Sequence, residues 1–210
     1  MKLHLRHFVF LFLTFTPYII EAQVLKSMAV KMGVSRANQN WDVIDPKRRT
    51  EDLYGGFCAA ELEFLRGKTF RFSSEFSYCQ KGYQALIPNT NANQPDGTGA
   101  YRRLKFKIDY MSFCPQLTAR HQGNRLSPYI GFGPRIDYLF SYRVDGVKTS
   151  TTHIRSTAFG FNLFAGLEYQ LNDVGLFIEG KYMHDLTYVF EAKNRAYILS
   201  LGVRINLSDK

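Results

Sequence analysis

Residues 159–207 read FGFNLFAGLEYQLNDVGLFIEGKYMHDLTYVFEAKNRAYILSLGVRINL and hold three segments of strict alternation. In the first, Phe159, Phe161, Leu163, Ala165, Leu167 and Tyr169 form an apolar set; Gly160, Asn162, Phe164, Gly166, Glu168 and Gln170 form the other, mostly polar or small. In the second, Leu176, Ile178, Gly180 and Tyr182 alternate with Phe177, Glu179, Lys181 and Met183. In the third, Tyr197, Leu199, Leu201, Val203, Ile205 and Leu207 alternate with Ile198, Ser200, Gly202, Arg204 and Asn206. A period of two puts successive side chains on opposite faces of a β-strand, so each segment has an oily face and a wet face. Strands of about 10–12 residues are what a tilted strand needs to cross a bilayer. The stretch predicts the end of a membrane β-barrel.

Toward the N-terminus the signature recurs. Met28, Val30, Met32 and Val34 alternate with Ala29, Lys31, Gly33 and Ser35. Cys58, Ala60, Leu62 and Phe64 oppose Phe57, Ala59, Glu61 and Glu63, and Phe70, Phe72, Phe76 and Tyr78 oppose Arg71, Ser73, Glu75 and Ser77. Leu104, Phe106, Ile108 and Tyr110 form an oily set against Lys105, Lys107 and Asp109; the phase then slips near Met111–Ser112, and with Pro115 following, a bulge is expected. Ile130, Phe132, Ile136, Tyr138 and Phe140 oppose Gly131, Gly133, Arg135, Asp137, Ser141 and Arg143. The fold class is therefore all-β, an up-and-down antiparallel transmembrane β-barrel of about eight strands. Connections alternate in length: long polar ones near 37–54, 83–100, 144–156 and 186–195, short ones near 66–68, 121–126 and 171–174. Membrane barrels have long external loops and short periplasmic turns, which places both termini on the periplasmic side.

Alternation alone does not tell inside from outside, because a soluble lipocalin-like barrel holding a lipophile inverts the two faces. The wet face carries Lys31, Arg71, Lys105, Lys107, Arg135, Arg143, Lys181 and Arg204 against Glu61, Glu63, Glu75, Asp109, Asp137, Glu168 and Glu179. Signs this nearly balanced suit a narrow lumen of paired charges, since an isolated buried charge is very costly. Gly33, Gly131, Gly133, Gly160, Gly166 and Gly202 share that face and suit a crowded interior. The 18 Phe and 13 Tyr fit β-structure, and the strand lengths and loop asymmetry favour the membrane reading. A mean hydropathy of -0.23 is too low for a helical membrane protein but not for a barrel whose strands are half wet. The net charge of +9 raises the question of nucleic acid. Its Lys and Arg residues are spread among acids without a binding motif, so no nucleic acid is expected.

Residues 1–23 have the layout of a cleaved export signal: Lys2, His4 and Arg6, then an apolar run from Phe8 to Phe15, with cleavage expected near Ala22 or Gln23. Residues 24–210 form the barrel domain. Cys58, Cys79 and Cys114 are too few for a disulfide framework and read as small strand residues. Of His121, His153 and His184, only His184 adjoins an acid, Asp185, near an external strand end. A rim pair that binds water is the expected reading, not a hydrolase site. Gly131-Phe132-Gly133 lacks the strand–turn–helix setting of a nucleotide loop, and Asp96-Gly97 lacks the later acids of a calcium loop. No catalytic residue, cofactor-binding residue, metal ligand or cofactor is assigned, and no enzyme activity is expected.

Several segments in order resemble the outer-membrane β-barrel family of Bacteroidetes, the PorT-like group. They are Glu75-Phe76-Ser77-Tyr78-Cys79-Gln80-Lys81-Gly82, the Tyr110-to-Arg120 segment with Pro115, Pro128-Tyr129-Ile130-Gly131-Phe132-Gly133-Pro134, Gly166-Leu167-Glu168-Tyr169, Leu176-Phe177-Ile178-Glu179-Gly180-Lys181-Tyr182 and Leu199-Ser200-Leu201-Gly202-Val203. The resemblance covers nearly the whole mature chain. It implies an outer-membrane location and this fold, and no shared enzyme activity. The expected partners are outer-membrane lipids and, through the external loops, other envelope proteins, with a monomeric barrel that is structural, partner-binding or secretion-associated. A barrel that passes or holds a small solute is the alternative.

Overall fold

The alternation closes on itself. The computed structural model describes residues 25–40, 50–88, 101–121, 123, 125–148, 156–188 and 192–207. The export signal, Asp96-Gly97 and His153 lie outside them. The strands are β1 (Ser27–Asn40), β2 (Thr50–Arg66), β3 (Phe70–Pro88), β4 (Tyr101–Arg120), β5 (Leu126–Val144), a two-residue β6 (Val147–Lys148), β7 (Thr157–Leu171), β8 (Val174–Asp185) and β9 (Lys193–Asn206). Long strands pair antiparallel in sequence order, β5 with β7, and β1 closes on β9, so eight long strands leave no open edge. Following Cα partners round from Ser27 through Glu63, Ser73, Gln116, Gly133, Asn162, Met183 and Ala196 returns to β1 at Ala37, ten residues along. For eight strands that offset means a tilt of about 40° and an interior that side chains alone can fill.

The oily sets face outward. Along β9 and at the residue after it, Tyr197, Leu199, Leu201, Val203, Ile205 and Leu207 are all exposed, while Ala196, Ile198, Ser200 and Arg204 are buried. At the strand rise and this tilt, Tyr197 to Leu207 spans about 25 Å of height, the thickness of a barrel's apolar band. Ser27 pairs with Asn206 beside the short turns, so both chain ends of the barrel lie at the turn rim.

Two expectations change at the loop rim. Ile108 and Tyr110 are fully buried inside the barrel, and Lys105 and Lys107 point outward. β4 keeps one phase from end to end; the register shift falls on its partner, where Tyr110 pairs with Leu139 and Asp109 with Ser141, leaving Phe140 as the extra residue. The outer half of β4 is inverted because it rises past the oily band, so its outer face meets water and its inner face caps the lumen. The strands also run longer than the apolar signal. Asn38 to Asn40, Thr50 to Tyr54 and Tyr83 to Pro88, all placed in loops by sequence, continue the ladders. Within the expected loop 144–156, Asp145 (φ 50°) and Gly146 (φ 87°) make a tight turn that folds β6 back on β5. Positive φ at both central residues is what such a two-residue hairpin turn demands.

Three inward aromatics each lie over a glycine on the adjacent strand. A Cβ on Gly131 would sit 2.3 Å from the Phe164 ring, one on Gly202 2.3 Å from Phe177, and one on Gly166 2.5 Å from Tyr129. The glycines are there to admit the rings. Gly202→Val is therefore expected to displace Phe177 and destabilise the barrel by about 1–3 kcal/mol, the usual cost of overpacking. Urea titration checks this, and Phe177→Leu in the same chain should recover part of the loss.

Candidate functional site in the barrel lumen

Among the described residues, seven cations and seven anions are buried inside the barrel, arranged in three tiers. At the turn rim, Arg204 on β9 reaches Glu63 at 3.0 Å, Glu61 at 3.1 Å and Glu168 at 3.4 Å. Arg120 pairs with Glu168 at 3.1 Å, and Arg71 bridges Glu63 and Glu168 at 3.4 and 3.7 Å. Ser27 donates to Glu63 (2.9 Å), and Arg66 closes this tier from the rim.

The middle tier is built on two lysines. Lys31 meets Glu75 at 2.6 Å, Glu179 at 2.9 Å and Glu61 at 3.3 Å; Lys181 meets Glu75 at 2.5 Å and Glu179 at 3.4 Å. The Tyr129 hydroxyl donates to Glu179 at 3.2 Å. Phe164 lies 6.0 Å from the Lys31 ammonium and 5.5 Å from that of Lys181, and Phe177 lies 5.9 Å from Lys31. Ring faces offer such cations favourable electrostatics without a second charge. This explains why two phenylalanines occupy the wet set of their strands.

The upper tier joins six strands. Lys81 contacts Asp137 at 2.7 Å and Asp185 at 3.0 Å. Arg135 donates to Asp137 (2.7 Å), to Asn162 (2.6 Å) and to Asp185. Asn194 donates to Asp185 (2.9 Å) and accepts from Gln39 (2.7 Å). Above it, Ile108, Tyr110 and Leu139 close the lumen with an apolar lid.

The fourteen charges cancel inside the wall. Low dielectric strengthens each attraction but makes any unpaired charge expensive, so a self-neutral network is the arrangement that a dry lumen tolerates. Between the lower tiers, a slit lined by Glu61, Arg120, Tyr129, Glu168 and Arg204, among others, has a volume of about 10 Å³, on the order of one water. Among the described residues, no set of His, Cys, Asp and Glu is arranged to hold a metal ion.

Of the residues singled out by sequence, His184 and Asp185 part company. His184 faces outward beside Phe161 and Tyr182, while Asp185 faces inward under Lys81 and Arg135. Adjacent in sequence, they lie on opposite faces of the wall and share no site. Gly131 and Gly133 line the lumen, where a Cβ on Gly133 would lie 2.1 Å from the Pro115 carbonyl. Cys58 is exposed, Cys79 and Cys114 are buried, and all three are free. Lys81, Arg120 and Asp185 complete the network but sit outside the alternating segments read from sequence. The continuing period from Ser77 through Cys79 to Lys81 is the signal that places the first of them.

No family model matches the chain, and no curated protein matches it in sequence. Its structure does have counterparts. Neisserial surface protein A superposes with a TM-score of 0.54 at 15% identity, over 86% of this chain and 97% of that one. The outer membrane protein OprG from Pseudomonas aeruginosa superposes with a TM-score of 0.51 at 10% identity, over 87% and 97%. The chain has the fold of an outer-membrane β-barrel. At these identities the likeness is one of fold.

Proposed function

We propose that the protein is a non-enzymatic outer-membrane barrel of the PorT-like group, exported with loss of residues 1–23, whose lumen is a structural plug and whose loop rim is the working surface. The filled, charge-cancelled lumen carries this reading. A conducting barrel needs continuous water, and here three tiers of paired side chains and an apolar lid stand in the way. The rim supports it. β3 and β4 rise past the oily band, and their hairpin presents Arg102, Arg103 and Lys105 to solvent, with Arg102 tied to Asp145 at 2.8 Å and Arg103 to Glu51 at 3.3 Å. A tethered, charged hairpin of this kind suits docking of another envelope protein.

The test has two parts. Envelope fractionation with electrophoresis before and after boiling should place the protein in the outer membrane, with a band that shifts on heating. Planar-bilayer recordings on the purified barrel should show no steady channels. Steady, long-lived conductance would overturn the plugged lumen and favour passage of a small solute.

A further inference from the structure

The outer wall carries a second organised site, at the loop-side border of the oily band. Across β2, β1, β9 and β8, Tyr54, Arg36, Tyr197 and Tyr182 stand in one row, each opposite the next in the ladder. One step further out, Arg195 lies between Asn38 and His184. One step inward, Val34 and Leu199 begin the apolar band. The row thus sits where hydrocarbon gives way to headgroups, the level at which tyrosines accumulate in membrane proteins.

Between the two arginines the wall is concave. A cavity of about 320 Å³ is lined by Arg36, Asn38, Asp52, Arg195 and Tyr197. Its floor is held in place: Asp52 accepts from Arg36 and, at 2.8 Å, from Asn38, whose own oxygen accepts from Thr50 at 2.8 Å. The Arg36 side chain remains 59% exposed despite that pair. Arg195 is exposed, and no described acid pairs with it. Among the described residues Asp52 is the one acid lining the cavity, against two guanidinium groups, so these residues give it a net positive charge.

We propose that this cavity binds the phosphate of a lipid in the loop-side leaflet, with Arg195 and the free edge of Arg36 as ligands, and that the acyl chains lie over Val34, Leu199 and Tyr182. Guanidinium groups match phosphate oxygens through paired, charge-assisted hydrogen bonds. Asp52 is a positioning residue, fixing Arg36 and Asn38 rather than touching the lipid. A phosphorylated glycolipid fits better than a soluble phosphate, because the oily wall lies directly beneath the cavity and supplies the second half of the site.

The inference rests on the outer-membrane reading above, and the experiment separates the two. Wild type, Arg36→Gln/Arg195→Gln and Lys148→Gln, a basic residue on β6 away from the cavity, are folded into phosphatidylcholine vesicles and checked for the heat-dependent band shift. Each is then extracted into detergent and titrated with diphosphorylated lipid A or with its dephosphorylated form, and bound lipid is counted by native mass spectrometry. The double variant should bind the phosphorylated lipid about tenfold more weakly, Lys148→Gln should match wild type, and removal of the phosphates should weaken wild type to the level of the double variant. Folded double variant that binds as well as wild type, or wild type that does not distinguish the two lipids, overturns the site and leaves the barrel reading standing. A wild-type chain that never enters the vesicles overturns both.

Discussion

Glu75→Gln is expected to lower the unfolding free energy of the barrel by about 3–5 kcal/mol, the usual cost of removing one partner from a buried ion pair. Glu75 is fully buried and is the short contact of two ammonium groups, Lys31 at 2.6 Å and Lys181 at 2.5 Å. Without its charge, Lys181 keeps only Glu179 at 3.4 Å, and the lumen holds seven cations against six anions. A glutamine also turns an NH2 group toward ammonium donors. The paired change Glu75→Leu/Lys181→Met should recover most of the loss, because both desolvated charges leave together and Lys31 retains Glu61 and Glu179. Urea titration in vesicles, followed by the heat-dependent band shift, measures both variants. A single-variant loss below about 1 kcal/mol, the scale of exposed pairs, would mean that water fills the middle tier and that the plug does not exist.

The sequence made the wall legible because each strand reports its two faces separately. On β9 and just past its end six successive outward residues are apolar, and a one-residue slip would turn all of them into the lumen. The lumen was legible as a composition but not as a network. Lys31, Glu75 and Glu179 share a face in the alternation, yet they come from β1, β3 and β8, and only the ten-residue offset of the closed sheet brings them together. That offset is a property of closure, which no single strand encodes. The glycines were legible as small lumen residues. Their partners, Phe164, Phe177 and Tyr129, became apparent only through cross-strand registers.

The departures of the structure from the periodic pattern share one physical origin. Periodicity reports a difference between two environments, and at the loop rim that difference fades or reverses. On the outer part of β4 the alternation of Leu104, Phe106, Ile108 and Tyr110 with Lys105, Lys107 and Asp109 is as clear as in the bilayer, but its sign is opposite: apolar inside, charged outside. If every oily set faced lipid, this stretch would be inverted and β4 would need a bulge to restore phase. The actual irregularity sits at Phe140, one strand away. The strands outrun the periodic signal at Asn38 to Asn40 and Thr50 to Tyr54 because side chains on both faces there include polar ones, which erases the signal without ending the ladder.

Leu201→Arg should separate a membrane barrel from a soluble one most sharply. Leu201 is 62% exposed on the outer wall, and along β9 it lies near the middle of the band that runs from Tyr197 to Leu207. In a bilayer a cation at this depth faces hydrocarbon and is expected to cost about 2–4 kcal/mol, falling to about 0–1 kcal/mol toward the interfaces. Leu207→Arg, at the turn-side border, should therefore be tolerated far better, and Val147→Arg, 70% exposed on β6 beyond the band, should cost close to nothing. The depth profile is the informative quantity. An arginine on a water-facing β-strand would be nearly neutral at all three positions, because its charge would stay hydrated. Folding each variant into vesicles and titrating with urea gives the three values directly. A steep maximum at Leu201 requires hydrocarbon around the mid-wall, whereas a flat profile would put water against the oily sets and leave the apolar wall to be explained by something other than lipid.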